Sequence, residues 1–399
     1  MKFNTADLYK EVLGIFDWLI EIRRDFHRNP ELSTKETRTK EKIIEYLKEM
    51  GIEYSTFINH HGVVAIIHGS KGGKTIGLRA DMDALPMEDL KKTPYSSSKK
   101  GVMHSCGHDA HMTILLGAAK ILNNHRDSLS GKVKLIFQPA EETIGGAKPM
   151  IEDGVLENPK VEAIFGLHVS SELPVGKIAL RYGQMNAQSD TIGIKVKGTS
   201  SHGAYPHGGH DSIVIAAHII SALQTIIARD VDPRDSAVIS LGTISGGAQN
   251  NILAEMVEMG GTVRTINPTT REMVLKRVQE VVTGVATSLG GEGHLNIEEG
   301  YIALINHDPL VKLVEENSIE FLGKENTINI SKVSLGVEDF AYFTEALPGV
   351  FFVLGSGNPD KGIVHCGHTQ HFDIDEDCLK IGVMMQILNT LKALGGKIK

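Results

Sequence analysis

The chain has 399 residues, 41% of them hydrophobic and 23% charged, with a formal net charge of -8 and a mean hydropathy near zero. That length exceeds what one hydrophobic core usually serves, so two domains are expected. The acidic balance argues against nucleic acid or an anionic membrane as a partner, and no run of about 18 apolar residues suggests a membrane span. Three cysteines, an odd count with no secretory leader before them, fit a reducing cytoplasm, where a thiol is catalytic, ligating or simply buried.

In chain order, the N-terminus reads as an amphipathic helix with Leu8, Val12, Ile15, Phe16 and Leu19 on one face. Ser33 and Glu36 form a capping-box pattern that predicts a helix from Ser33 to Gly51. Short β-branched runs follow at 62–69, 75–84, 132–143 and 161–170, as expected of strands covered on both faces. The segment "MTILLGAAKIL" between them has helical spacing. This alternation predicts an α/β fold with a three-layer domain around a mixed central sheet. Residues 188–298 read as β-α-β-β-α-β, a ferredoxin-like α+β pattern. The first domain is therefore expected to be discontinuous, 1–187 and 299–399, with 188–298 inserted.

The chemistry concentrates at a few places. Cys106 and His108 lie one residue apart before a helix, where a thiolate is favoured and where sulfur and imidazole are common zinc ligands. A buried cysteine beside a loop histidine is the plainer reading. Glu141 and Glu142 end a buried strand, the place where open α/β sheets bind ligands. One carboxylate can hold a metal while its neighbour moves a proton. A solvated loop pair is the commoner fate of Glu-Glu. His168 ends another apolar strand, where histidines are more often core residues than ligands. "HCGHTQHF" at 365–372 adds His365, His368 and His371, of which at least one is expected to be a surface residue. "SSHGAYPHGGHD" at 200–211 puts three more histidines on a Gly/Pro loop of the inserted domain.

Together these stretches resemble the amidohydrolase branch of the aminoacylase and carboxypeptidase family of co-catalytic metallopeptidases. The matching segments are "GLRADMDALP" (77–86), "MHSCGHDAHM" (103–112), "FQPAEE" (137–142), "GLHV" (166–169), "HGAYPH" (202–207) and "GVEDFAYF" (336–343), in the family's order. The resemblance implies two divalent metal ions per subunit, zinc, manganese, cobalt or nickel. It implies that Cys106 bridges them, with His108, Glu142, His168 and His368 as terminal ligands. It implies Glu141 as general base and His202 as a catalytic residue acting across a homodimer, with Asn250 and Arg264 holding a substrate carboxylate. Asp109 and His111 would orient the ligands, and His104 would be incidental. The "GHTQH" context departs from the family's pattern, which leaves His365 and His371 as alternatives to His368. The implied reaction is metal-dependent hydrolysis of the amide of an N-acyl amino acid. Deacetylation of N-acetyl-diaminopimelate and peptide cleavage by a metallocarboxypeptidase are the enzymatic alternatives, and a metal-binding or metal-sensing protein is the non-enzymatic one. A nicotinamide enzyme is disfavoured because no G-x-G-x-x-G turn follows a strand.

Overall fold

The computed structural model describes residues 2–398, with side chains from 3 to 396. The chain divides into two compact units, one comprising Met1–Met185, Ile305–Lys332 and Asp339–Lys399, the other Asn186–Leu304 and Val333–Glu338.

The first unit is built on an eight-stranded mixed sheet. From one edge to the other its strands are Thr327–Asn329, Ile178–Leu180, Gly349–Gly357, Ala163–Pro174, Lys71–Asp81, Ser130–Gln138, Val63–His68 and Glu53–Thr56. The three central neighbours Ala163–Pro174, Lys71–Asp81 and Ser130–Gln138 run parallel, and the two strands beyond Ser130–Gln138 are antiparallel. Every residue from Thr75 to Asp81 is buried, so layers cover both faces of this strand. Alternation along Ala163–Pro174 assigns the layers. Phe165, Leu167 and Val169 join the main core with helices His108–Asn124 and Asp377–Ala393. Gly166 faces the other way, where a Cβ would come within 2.8 Å of the Phe340 ring, so its missing side chain lets helix Phe340–Ala346 sit close to the sheet.

Two local readings are corrected. The N-terminal segment forms two helices, Thr5–Gly14 and Phe16–Arg28, with Leu8, Val12 and Leu19 buried. The next helix spans Thr37–Glu49, and no capping box forms. The Ser33 hydroxyl instead donates to Asp83 Oδ2 at 2.6 Å, and the Glu36 carboxylate accepts from the Ala140 amide at 2.9 Å. Long-range hydrogen bonds thus claim both side chains that a local cap would have used.

The second unit has a four-stranded antiparallel sheet in the order Ala237–Gly246, Met256–Thr265, Gln188–Lys197, Glu292–Glu299. Helices Ser212–Thr225 and Pro268–Ser288 pack on it around Ile192, Ile194, Ile219, Val278 and Val282. This is the ferredoxin-like arrangement. The stretch Ser212–Asp230 is the one helical segment among the described residues long and apolar enough, by length and composition, to cross a membrane. In the folded unit its Ile215, Ala216, Ile219, Leu223 and Ile226 belong to the core on the sheet.

Candidate metal centre

Strand ends position the first unit's functional groups. Glu141 and Glu142 follow strand Ser130–Gln138, and His168 lies within Ala163–Pro174. Asp81 closes its strand, with Asp83 two residues on. Cys106 and His108 flank Gly107, which precedes helix His108–Asn124 with φ +92°, a left-handed conformation that suits glycine. A Cβ there would also lie 2.3 Å from Val169 Cγ2.

These ends converge. Cys106 Sγ lies 3.3 Å from His168 Nε2 and 3.3 Å from His368 Nε2. His368 Nε2 is 3.4 Å from Glu142 Oε1, and His108 Nε2 is 3.8 Å from the same oxygen. Two groups of candidate donor atoms result, Cys106–His108–His168 and Cys106–Glu142–His368, with the thiol common to both. Glu141 stands with His108 and Glu142 in a third. His108 Nδ1 and Nε2 and Glu142 Oε1 are buried and have no hydrogen-bond partner. Buried polar atoms are normally satisfied, so these orphaned His108 nitrogens and Glu142 oxygen, gathered beside the Cys106 sulfur and the other imidazoles, fit a divalent cation well.

Four further histidines of the sequence motifs stand outside these two groups. His111 Nδ1 donates to Asp81 Oδ1 at 2.6 Å, and its Nε2 accepts from the Val169 amide at 2.9 Å. Both nitrogens are committed, so His111 is a strut between strand and helix although its atoms lie near His108 and Asp81. His104, expected to be incidental, is fully buried, and burial lowers its pKa to about 3, which keeps the ring neutral. The rings of His365 and His371 lie near each other, with centres 5.3 Å apart, while His368 alone of the three reaches Cys106 and Glu142. His368 has φ +59°, the turn that points its ring there.

The sequence reading missed the charged frame behind the cluster. Asp83 accepts from the amides of Glu141 (3.1 Å) and Glu142 (3.0 Å), and its Oδ1 lies 3.3 Å from His108 Nδ1. Burial alone would raise the Asp83 pKa, but the nearby charge of His108, with the hydrogen bonds from Ser33 and the Glu142 amide, holds it below the ordinary value. Arg79 donates to Gln138, Asp81 and Asp339 at 2.7–2.9 Å. Arg23, fully buried, donates to Asp109 at 2.9 Å and Asp373 at 2.8 Å. His27 Nδ1 donates to the same Asp109 oxygen at 2.7 Å. A signal existed: Arg23 and His27 occupy the apolar stripe of their helix with Leu19, Ile22 and Phe26, where an unpaired charge would be costly. Burial opposes charge on His108 too, yet Asp81 beside it raises its pKa well above the ordinary value. Burial pushes the Cys106 thiol up, and a cation within reach would draw that proton off.

The other sequence candidates belong to the second unit. His202 is exposed, accepts from the Ala204 amide through Nδ1 at 3.0 Å, and bridges to Ile252. Asn250 is exposed on the segment just before that bridge. Arg264 is half-buried and donates to the Leu335 carbonyl at 2.7 Å.

A mixed α/β unit whose strand ends gather two donor triads around one thiol has the make-up of a metal-dependent hydrolase, and the relatives of the chain bear that class out. The chain belongs to peptidase family M20/M25/M40, whose model matches residues 77–388. It is 39% identical over 388 residues to "Thermostable carboxypeptidase 2" of Saccharolobus solfataricus, covering 96% of this chain and 98% of that protein. It is 39% identical over 376 residues to the N-acetyl-L-cysteine deacetylase of Bacillus subtilis, covering 94% and 86% respectively. Among solved structures, the YXEP protein of Bacillus subtilis, described as a dinuclear metal-binding peptidase of the M20 family, superposes with a TM-score of 0.81 at 32% identity, covering 96% of this chain and 99% of that one.

Glu36 gives a test of the frame. Burial is the main cause that pushes its carboxyl up to about 7 from an ordinary 4.5, with a contribution from the Asp83 charge. Below about 4.5 the group is protonated whether the chain is folded or not. Between about 4.5 and 7 the unfolded chain ionises first, so the native state holds more protons and stability falls with rising pH, by roughly 3 kcal/mol in all. In Glu36→Gln, urea unfolding across this range is expected to lose that slope. An unchanged slope would show that Glu36 titrates normally.

Proposed function

We propose that this enzyme hydrolyses the amide bond of N-acyl amino acids at a pair of divalent metal ions, zinc, manganese, cobalt or nickel. The observation that carries the reading is the sharing of Cys106 between two donor triads, with the Glu141 carboxylate beside them. Cys106 would bridge, His108 and His168 would complete one position, and Glu142 and His368 the other. Bound there, the metals would supply the positive charge that polarises the scissile carbonyl and makes water acidic near neutral pH.

The chain's own residues do the rest. Glu141 takes a proton from water as the water oxygen adds to the carbonyl carbon. It then gives that proton to the amide nitrogen as the C–N bond breaks. Asp83 fixes the backbone of both glutamates, so the two adjacent carboxylates can hold different tasks. His202 donates to the developing oxyanion, a contribution typically worth about 3 kcal/mol. Asn250 and Arg264 hold the substrate carboxylate.

A protein that only bound or sensed metal would close the coordination with its ligands and would not need a general base such as Glu141 beside them. N-acetyl-diaminopimelate and C-terminal peptide bonds are the alternative substrates, and both need the same proton transfers. The residues 188–298 are read as a lid and dimerisation domain, so His202 serves the neighbouring subunit of a homodimer. All three cysteines are free, in keeping with a reducing, cytoplasmic setting.

Three outcomes are expected. A chelator should abolish hydrolysis of N-acetyl and N-benzoyl amino acids, and a divalent ion should restore it; full turnover in metal-free protein would sink the mechanism. Glu141→Gln should keep its metal and lose about 100- to 10,000-fold in kcat, whereas Glu142→Gln should also lose metal, as read by elemental analysis. Finally, His202→Ala and Glu141→Gln chains, each nearly inactive, should regain up to about one quarter of wild-type activity when mixed, because half the dimers are then mixed and each has one intact site. Heterodimers verified by differential tags but still inactive would show that His202 does not act across the dimer.

A further inference from the structure

We infer that His365 and His371 form a third, separate metal-binding site for a zinc-like divalent ion. The reading starts from what the metal centre leaves unused. Of the three histidines on the 365–371 segment, only His368 turns inward to Cys106 and Glu142. His365 and His371 are both exposed, and neither ring nitrogen has a hydrogen-bond partner among the described residues. Their ring centres lie 5.3 Å apart with planes at 41°.

That spacing suits a shared ion. A zinc–nitrogen bond is about 2.0–2.1 Å, and the ring centre lies about 1 Å further out, so two imidazoles at a tetrahedral angle have centres about 5 Å apart. Two exposed imidazoles would scatter if their backbone were loose, but this backbone is pinned along its length. Ser171 Oγ donates to the His365 carbonyl at 2.7 Å, and the His368 amide donates to the Ser105 carbonyl at 2.8 Å. The Leu90 amide donates to the Gln370 carbonyl at 3.0 Å, and Phe372, next to His371, is buried. The rings are therefore held near each other by structure already present, which lowers the cost of ordering them around an ion. Imidazole selects zinc, nickel and copper over magnesium or calcium. With two protein ligands and the other positions left to water, the site binds more weakly than a three-ligand one. An ion there joins the two ends of the segment that carries His368.

The test counts metal rather than turnover. The full-length protein is dialysed against rising free Zn²⁺, and bound zinc per chain is measured by elemental mass spectrometry. Once the tight equivalents are filled, the wild-type chain should take up one more. His365→Gln and His371→Gln should each lack that equivalent, while His218→Gln, which removes an exposed imidazole elsewhere, should keep it. Retention of the extra equivalent in either variant, or no extra equivalent in the wild-type chain, overturns the inference. The number of tight equivalents is read from the same curve: a number other than two would overturn the dinuclear reading and leave the difference between wild type and variants intact.

Discussion

The centre depends on one carboxylate placed where two chain segments meet. Asp83 binds the amides of Glu141 and Glu142 and faces the His108 ring. Those amides would otherwise be orphans at the end of a buried strand, and an orphaned buried donor costs as much as a lost hydrogen bond. By satisfying them, Asp83 fixes which way the two glutamates leave the backbone. The Ala140 amide just before them is held in the same way by Glu36. The turn therefore uses two buried acids, and Asp83 in turn has the Ser33 hydroxyl as a donor and the His108 ring beside it, which keep its desolvation tolerable.

A second layer of charge stands behind the cluster. Arg23 and His27 meet Asp109, and Arg79 meets Asp81 and Asp339. Isolated buried ion pairs add little to stability and become costly when one partner is removed. Their value here is positional: Asp109 follows His108 in the first turn of its helix, and Asp81 receives His111, whose other nitrogen holds the Val169 amide beside His168. Helix and strand are thereby locked in the register that brings the rings of His108 and His168 within 6.1 Å.

Much of this was legible in the sequence. Strands buried on both faces read as uninterrupted apolar runs, and the β-α-β-β-α-β order of residues 188–298 is local enough to follow from spacing. The cluster was legible because cysteine, histidine and paired glutamates are chemically distinctive and sit at strand ends and a helix mouth. What escaped notice was set by distance along the chain. Ser33 and Glu36 look like a local cap, but their partners are Asp83 and Ala140, fifty and a hundred residues away. Arg23 and His27 interrupt an apolar stripe, and the acids that explain them, Asp109 and Asp373 among them, lie far along the chain. No periodicity in sequence carries such pairings.

The position of strand Gly349–Gly357 bears on how the protein is made. It lies inside the eight-stranded sheet, between Ala163–Pro174 and Ile178–Leu180, although the whole of residues 186–304 is translated first. The ferredoxin-like unit can thus finish folding on the ribosome while the larger unit is still missing an interior strand. Until that strand emerges, Ala163–Pro174 and Ile178–Leu180 keep unpaired backbone along one side, and such edges are prone to pair with the wrong chain. His368, later still, joins Cys106 across 262 residues. Closing so long a loop makes the centre among the last features to form, so a nascent chain released early would carry a folded insert and no complete metal site.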